Sequence, residues 1–294
     1  MIGRRWISLL FSSLFIVATI PSIPTWVVLA QDIDFKQDIE YGEGGGDKLK
    51  LDLATPRNLS AKAPAIVAIH GGGWAAGDKR DIDDAIKQFA KAGYVSISIN
   101  YRHAPKHVFP AQVEDSKCAV RWLRAHADEM HVNPERIGSF GASAGGHLAM
   151  IVGVMDSADG LEGSGGWSDQ SSKVQAVVSI FGPTNLSSEF PDESRNIVAG
   201  FIGGKRDEKP EQFKQASPIT YVDSSDAPML LFQGTKDPLV PHDQAFQMAD
   251  ALTEAGVPGR VELFLGQGHG WGGKLLEHTT RETIAFFDEH LKNR

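Results

Sequence analysis

Cysteine is almost missing from this chain. Cys118 is the one thiol in 294 residues, so no internal disulfide can form and stability must come from an apolar core. Its neighbours Ala119, Val120, Trp122 and Leu123 place it on a helix as a buried, inert thiol. An excess of positive charge is missing too. Lys and Arg number 29 against 37 Asp and Glu, a formal charge of −8, which argues against nucleic acid and anionic membranes as partners. Ten histidines are present, yet no pair has zinc spacing with an acid, so neither a metal nor a cofactor is expected. No internal repeat or low-complexity tract appears.

Long apolar runs are scarce outside the N-terminus. There, Arg4 and Arg5 precede an apolar run over residues 6–20, Pro21 and Pro24 interrupt it, and Val28-Leu29-Ala30 stands before polar Gln31. This pattern predicts a signal peptide over residues 1–30, cleaved after Ala30. The competing reading is an uncleaved anchor helix, which the prolines and the small-residue end disfavour. Nothing after the arginine pair fills a twin-arginine motif. Removing Arg4 and Arg5 takes the formal charge from −8 to −8 − 2 = −10. The expectation is a secreted or periplasmic protein with no stable membrane association after cleavage, built as one domain over residues 31–294.

What is present alternates regularly. Residues 37–41 and 47–54 switch between apolar and polar at the period of a half-buried strand, and Glu43-Gly44-Gly45-Gly46-Asp47 between them reads as a turn. Together they predict an antiparallel edge hairpin. Continuous apolar runs at 64–69, 94–99, 137–140, 174–181, 228–232 and 261–265 predict buried strands. Helical periodicity falls between them at 81–92, 110–130, 144–155, 243–256 and 276–291. The implied architecture is α/β: a mostly parallel sheet covered by helices on both faces. Two stretches break the alternation. Residues 156–173 read as a long surface loop, and 183–227 as a small cap or lid with one helical segment near 196–202.

The chemistry gathers in the loops that follow strands. Gly141-Ala142-Ser143-Ala144-Gly145 matches G-x-S-x-G between a predicted strand and a predicted helix. Such a sharp strand-to-helix turn strains its central residue and lifts the serine hydroxyl out of the packing, at the positive end of a helix. Taken alone, these five residues read equally well as a glycine-rich turn without chemistry. Upstream, His70-Gly71-Gly72-Gly73-Trp74 follows the strand at 64–69. Its glycines allow backbone N–H groups to converge, which assigns Gly72, Gly73 and Ala144 as oxyanion donors. His70 reads as a structural brace for that loop. Downstream, Asp237 stands in a turn after the strand at 228–232, and His269, flanked by glycines, follows the strand at 261–265. Asp226, Asp243 and Asp250 lie before the strand or on the next helix. His147 sits on the elbow helix and is expected beneath it; His103, His107, His126, His131, His242, His278 and His290 read as solvated. An oxyanion loop, Ser143, Asp237 and His269 in that order match the α/β-hydrolase order of catalytic elements. Trp74 and Trp271, each beside a catalytic loop, either wall a planar acyl or sugar group or pack their loops down.

The motifs His70-Gly71-Gly72-Gly73-Trp74, Tyr101-Arg102-His103-Ala104-Pro105 with Phe109-Pro110-Ala111, Trp122-Leu123 and Gly141-Ala142-Ser143-Ala144-Gly145-Gly146 resemble those of secreted carboxylesterases of the hormone-sensitive-lipase-like branch. Within that branch the likeness is greatest to the feruloyl and acetyl esterase type, and it extends over residues 36–293. The resemblance implies an α/β-hydrolase fold and hydrolysis of short-chain acyl esters, free or linked to polysaccharide. Kynurenine formamidases have a similar glycine loop and elbow, so an arylformamidase-like amide hydrolase is the rival activity. A hydrolase fold used only for binding, and a true lipase, are more distant alternatives. Two departures stand out: no room for an N-terminal helical cap, and Gln233 where relatives often carry histidine.

Overall fold

The computed structural model describes residues 32–293; the predicted signal peptide and its cleavage site at Ala30 lie outside them. Strand β1 (Ile33–Gly44) and strand β2 (Asp47–Pro56) form the antiparallel hairpin. Gly45 and Gly46 turn the chain between them at φ of 56° and 84°, a region that glycine enters without steric cost. β2 pairs antiparallel with β4 (Val95–Ile99). Each further pairing is parallel, through β3 (Ala63–Ile69), β5 (Val132–Ala142), β6 (Ala176–Ile180), β7 (Met229–Gly234) and β8 (Gly259–Phe264). The resulting eight-stranded sheet has the order β1-β2-β4-β3-β5-β6-β7-β8.

Every residue of β3, β4, β6 and β7 is buried. Continuous apolar sequence is what such strands require, because helices cover both faces. Alternation then assigns side chains to two cores. Ala65, Val67 and Ile69 join the larger core with α2 (Ala111–Ala125), α3 (Ala144–Val154) and α6 (Asp243–Ala255). Ile66 and Ala68 join the smaller core with α1 (Asp83–Lys91) and α7 (Gly273–Phe287). Cys118 is fully buried in the larger core, and burial pushes its thiol up to about 11.

The helix predicted over 110–130 stops at Ala125. His131 takes a left-handed φ of 54°, and the chain turns there into β5, which starts at Val132 rather than near 137. The 156–173 loop is anchored: its Glu162 pairs with Lys117 and Arg121 of α2 at 2.7 and 2.5 Å. The 183–227 excursion leaves the sheet after β6 and returns at β7. It holds α4 (Asp192–Ile202), α5 (Pro210–Gln215) and a 3-10 turn over Pro218–Tyr221. Of these, only the segment of α4 was visible as a sequence pattern; α5 and the 3-10 turn each open on proline and are too short to show a period.

Candidate active site

Ser143 stands alone between β5 and α3, at φ 56° and ψ −123°. A non-glycine residue holds such a conformation only when its surroundings enforce it. Here Ser143 N–H donates to Ile180 O at 2.9 Å, and the glycines on either side let backbones touch. A Cβ on Gly141 would lie 2.2 Å from Gly145 O, and one on Gly145 would lie 2.0 Å from Ile69 O. No side chain fits at either place.

Three loops at the carboxyl ends of the strands meet at this serine. His269 Nε2 lies 2.8 Å from Ser143 Oγ, and His269 Nδ1 lies 2.7 Å from Asp237 Oδ2. A carboxylate can only accept, so Nδ1 carries the proton and Nε2 is free to receive one from the hydroxyl. The Asp237 side chain is completely buried. Burial alone would push its carboxyl up, but hydrogen bonds from His269 and from the N–H groups of Val240 and Leu239 outweigh this and hold it below the ordinary carboxylate range. Both N–H groups reach Oδ1 at 2.9 Å. Gln233, the departure noted in the sequence, is buried and donates from Nε2 to Asp237 Oδ2 at 3.2 Å and to Val240 O at 2.9 Å. It ties the acid loop to its own base.

The glycine loop after β3 runs beside Ser143. A Cβ on Gly71 would sit 3.4 Å from Ser143 Cβ. Gly72, Gly73 and Trp74 follow with φ of 110°, 60° and 59°, and Ala75 and Ala76 N–H both return to Gly72 O. Among the described residues, the N–H groups of Gly72, Gly73 and Ala144 have no hydrogen-bond partner, as donors kept for an oxyanion require. His70 packs behind the loop, stacked on Tyr101 with ring centroids 4.4 Å apart. Its Nδ1 lies 2.7 Å from Gly71 O, and burial lowers its pKa, favouring the neutral ring.

The two tryptophans line no part of the cleft, so the aromatic wall allowed by the sequence is not where it was expected. Trp74 is 3% exposed, its ring stacked on Phe201 and its Nε1 donating to His147 Nδ1 at 3.2 Å. Trp271 donates to Thr279 Oγ1 at 2.8 Å and packs edge-on against Phe181 and Phe264. Each holds a loop down. Phe181, which the sequence reading passed over as the end of a strand, supplies the aromatic surface instead. Its φ of 42° turns the ring toward His269, with centroids 4.5 Å apart. Several histidines read as solvated also have partners: His107 bonds Asp47, His126 stacks on Trp122 and His278 bonds Glu262.

In front of Ser143 opens a cleft of about 610 Å³. Its walls are mainly apolar and include Phe181, Ile197, Phe201 and Leu239, with Asn196 also lining it. No group of His, Cys, Asp or Glu among the described residues is placed to hold a metal ion.

Comparison with known proteins agrees with this geometry. The BD-FAE family model matches residues 51–252, a span that includes the glycine loop, Ser143 and Asp237 and ends before His269. Esterase LipQ of Mycobacterium tuberculosis is 31% identical over 225 residues, covering 74% of this chain and 53% of LipQ. The chain spans about half of that relative's length. Among solved structures, a truncated carbohydrate esterase from gut microbiota superposes with a TM-score of 0.78 at 28% identity, over 88% of this chain and 97% of that one. Thermogutta terrifontis esterase 2, phosphorylated by paraoxon, gives a TM-score of 0.73 at 28% identity over 87% and 94%. With the sheet order, the elbow and a family match over most of its length, the chain belongs to the BD-FAE family of the α/β-hydrolase fold.

Proposed function

We propose that the chain is a serine carboxylic-ester hydrolase that acts on short-chain acyl esters through an acyl-enzyme, with acetyl or feruloyl esters of plant polysaccharide as the natural substrate class. The observation that carries this reading is the bridge made by His269, 2.8 Å from Ser143 Oγ and 2.7 Å from Asp237 Oδ2. His269 takes the serine proton as Oγ attacks the ester carbonyl. Negative charge then develops on the carbonyl oxygen and is received by the N–H groups of Gly72, Gly73 and Ala144, each donor contributing about 3 kcal/mol to lowering the barrier. Asp237 stays ionised and stabilises the imidazolium. His269 returns the proton to the leaving alcohol, and water repeats the sequence to free the acid.

A neighbour described as a carbohydrate esterase supports the polysaccharide-linked class. Export to the periplasm or medium, with cleavage after Ala30, is supported by the sequence pattern of residues 1–30, and the N-terminal mass of the exported protein tests it. For the activity, Ser143→Ala removes the nucleophile without changing the packing. It is expected to abolish hydrolysis of p-nitrophenyl butyrate, methyl ferulate and acetylated xylan while the melting temperature holds. Retention of most activity refutes the assignment of Ser143. A preference for N-formylkynurenine over all three esters would reassign the enzyme as an amide hydrolase.

A further inference from the structure

Helix α4 is laid across the cleft like a beam. At its N-terminal end Ser194 Oγ donates to Leu239 O at 2.7 Å, beside the acid loop, where Leu239 N–H meets Asp237. At its C-terminal end Phe201 stacks on Trp74 with centroids 4.4 Å apart, behind the glycine loop. Between these supports Asn196, Ile197, Gly200 and Phe201 line the cleft.

Gly200 is the odd residue in this row. Glycine within a helix is less stable than alanine, because it loses more backbone freedom on folding. Two local reasons can require it: a left-handed backbone, or a neighbour too close for a Cβ. The glycines of α3 have the second reason. A Cβ would lie 2.0 Å from Ile69 O at Gly145, 2.7 Å from Ser179 Oγ at Gly146 and 2.3 Å from Val177 Cγ2 at Gly153. Gly200 has neither. Its φ is not left-handed, and a Cβ built on it meets nothing within 4 Å. What the missing side chain provides is room in the cleft.

We infer that Gly200 is a specificity-determining position that makes space for an apolar acyl group larger than acetyl. The inference rests on the esterase reading, and the geometry selects the acyl side over the alcohol side. His269 must reach the leaving oxygen, so the alcohol lies on the side of His269, Phe181 and Leu239. The acyl group extends the other way, toward the oxyanion loop. There Ile197 Cγ2 would be 2.7 Å from a Cβ on Gly73, and Phe201 lies against Trp74. That half of the beam is apolar, and Gly200 belongs to it. Asn196 stands one turn nearer the acid loop.

Two ester series separate the possibilities. One holds the alcohol constant (p-nitrophenyl acetate, butyrate and ferulate); the other holds the acyl group constant (phenyl, p-nitrophenyl and 1-naphthyl acetate). Gly200→Leu is expected to lower kcat/KM for ferulate relative to acetate by about tenfold or more, the discrimination a filled apolar pocket provides. Gly200→Ala should shift the same ratio in the same direction by a smaller factor, so the test survives if the leucine variant folds poorly. Relative rates in the alcohol series should move far less. Equal losses across the acyl series, or a larger shift in the alcohol series, overturn the acyl assignment while leaving the esterase reading intact. A wild-type chain inactive on every ester removes both.

Discussion

Helix α3 begins directly behind Ser143, helix α4 lines the cleft in front of it, and the two are built on opposite terms. All eleven residues of α3 are buried, a Cβ added to its glycines would lie 2.0 to 2.7 Å from a neighbour, and Ser143 stands immediately before its first residue. In α4 only Ser194, Val198, Phe201 and Ile202 are buried, and a Cβ added to its glycine would meet nothing within 4 Å. On the mechanism proposed above, the difference is a division of labour. The group that reacts is held by elements that cannot move without breaking close packing. The surface that selects is carried by an exposed helix, where a side chain can change without disturbing the core.

The two regions are joined at His147. It is wholly buried on α3, accepts from Trp74 Nε1 at Nδ1, and lies 2.6 Å from Ala216 O through Nε2. Indole N–H can only donate and carbonyl oxygen can only accept, so the ring is neutral with its proton on Nε2. One imidazole thus fastens the glycine loop, the elbow helix and the 183–227 excursion together.

The contrast can be broken most forcefully with alanine at matched glycines. Gly145→Ala drives a methyl into Ile69 O and is expected to cost about 3 kcal/mol or more; chemical denaturation measures it, and a neutral outcome would dissolve the distinction between the helices. The junction comes next. Burial lowers His147 to about 4 from its ordinary value of 6.5. The folded state therefore refuses a proton that the unfolded chain binds between those values. Its contribution to stability is complete above about pH 6.5 and shrinks as pH falls toward 4, by about 3 kcal/mol in all. Thermal melts from pH 7 to 4 should show a flatter decline in His147→Gln than in wild type; parallel curves contradict the assignment. Trp74→Phe keeps the stack on Phe201 but leaves His147 Nδ1 without its donor, which should cost about 1–2 kcal/mol. Because Trp74 lies outside the cleft, KM for p-nitrophenyl butyrate should stay close to wild type; a large rise in KM would return the indole to the substrate. Smallest and opposite in sign, Gly200→Ala should stabilise by about 0.5–1 kcal/mol, and a destabilised variant would reveal a packing role that the geometry does not show.

Much of this was legible before any coordinates. Alternating and continuous apolar runs located the eight strands of the sheet, and Ser143, Asp237 and His269 were singled out by their place after strands, where the structure brings His269 within hydrogen-bond distance of both Ser143 and Asp237. What could not be read was anything set by contacts between distant residues. Trp74 beside a catalytic loop looks the same in sequence whether it faces substrate or a histidine 73 positions away. Phe181 ends an apolar strand, and nothing in its neighbours announces the backbone turn that aims it at His269. Gln233 reads in sequence only as a departure from related chains, and nothing near it announces that its amide holds Asp237. The 183–227 excursion concealed α5 because six residues are too few for a period to show.

The central claim is that Ser143 is the activated nucleophile of this triad, and reaction with paraoxon tests it most directly. Thermogutta terrifontis esterase 2 is phosphorylated by this reagent. Intact-mass measurement should find one diethylphosphoryl group per chain, peptide mapping should place it on Ser143, and His269→Ala should slow its attachment sharply. A label on another residue, or ester hydrolysis that survives without any label, would contradict the account.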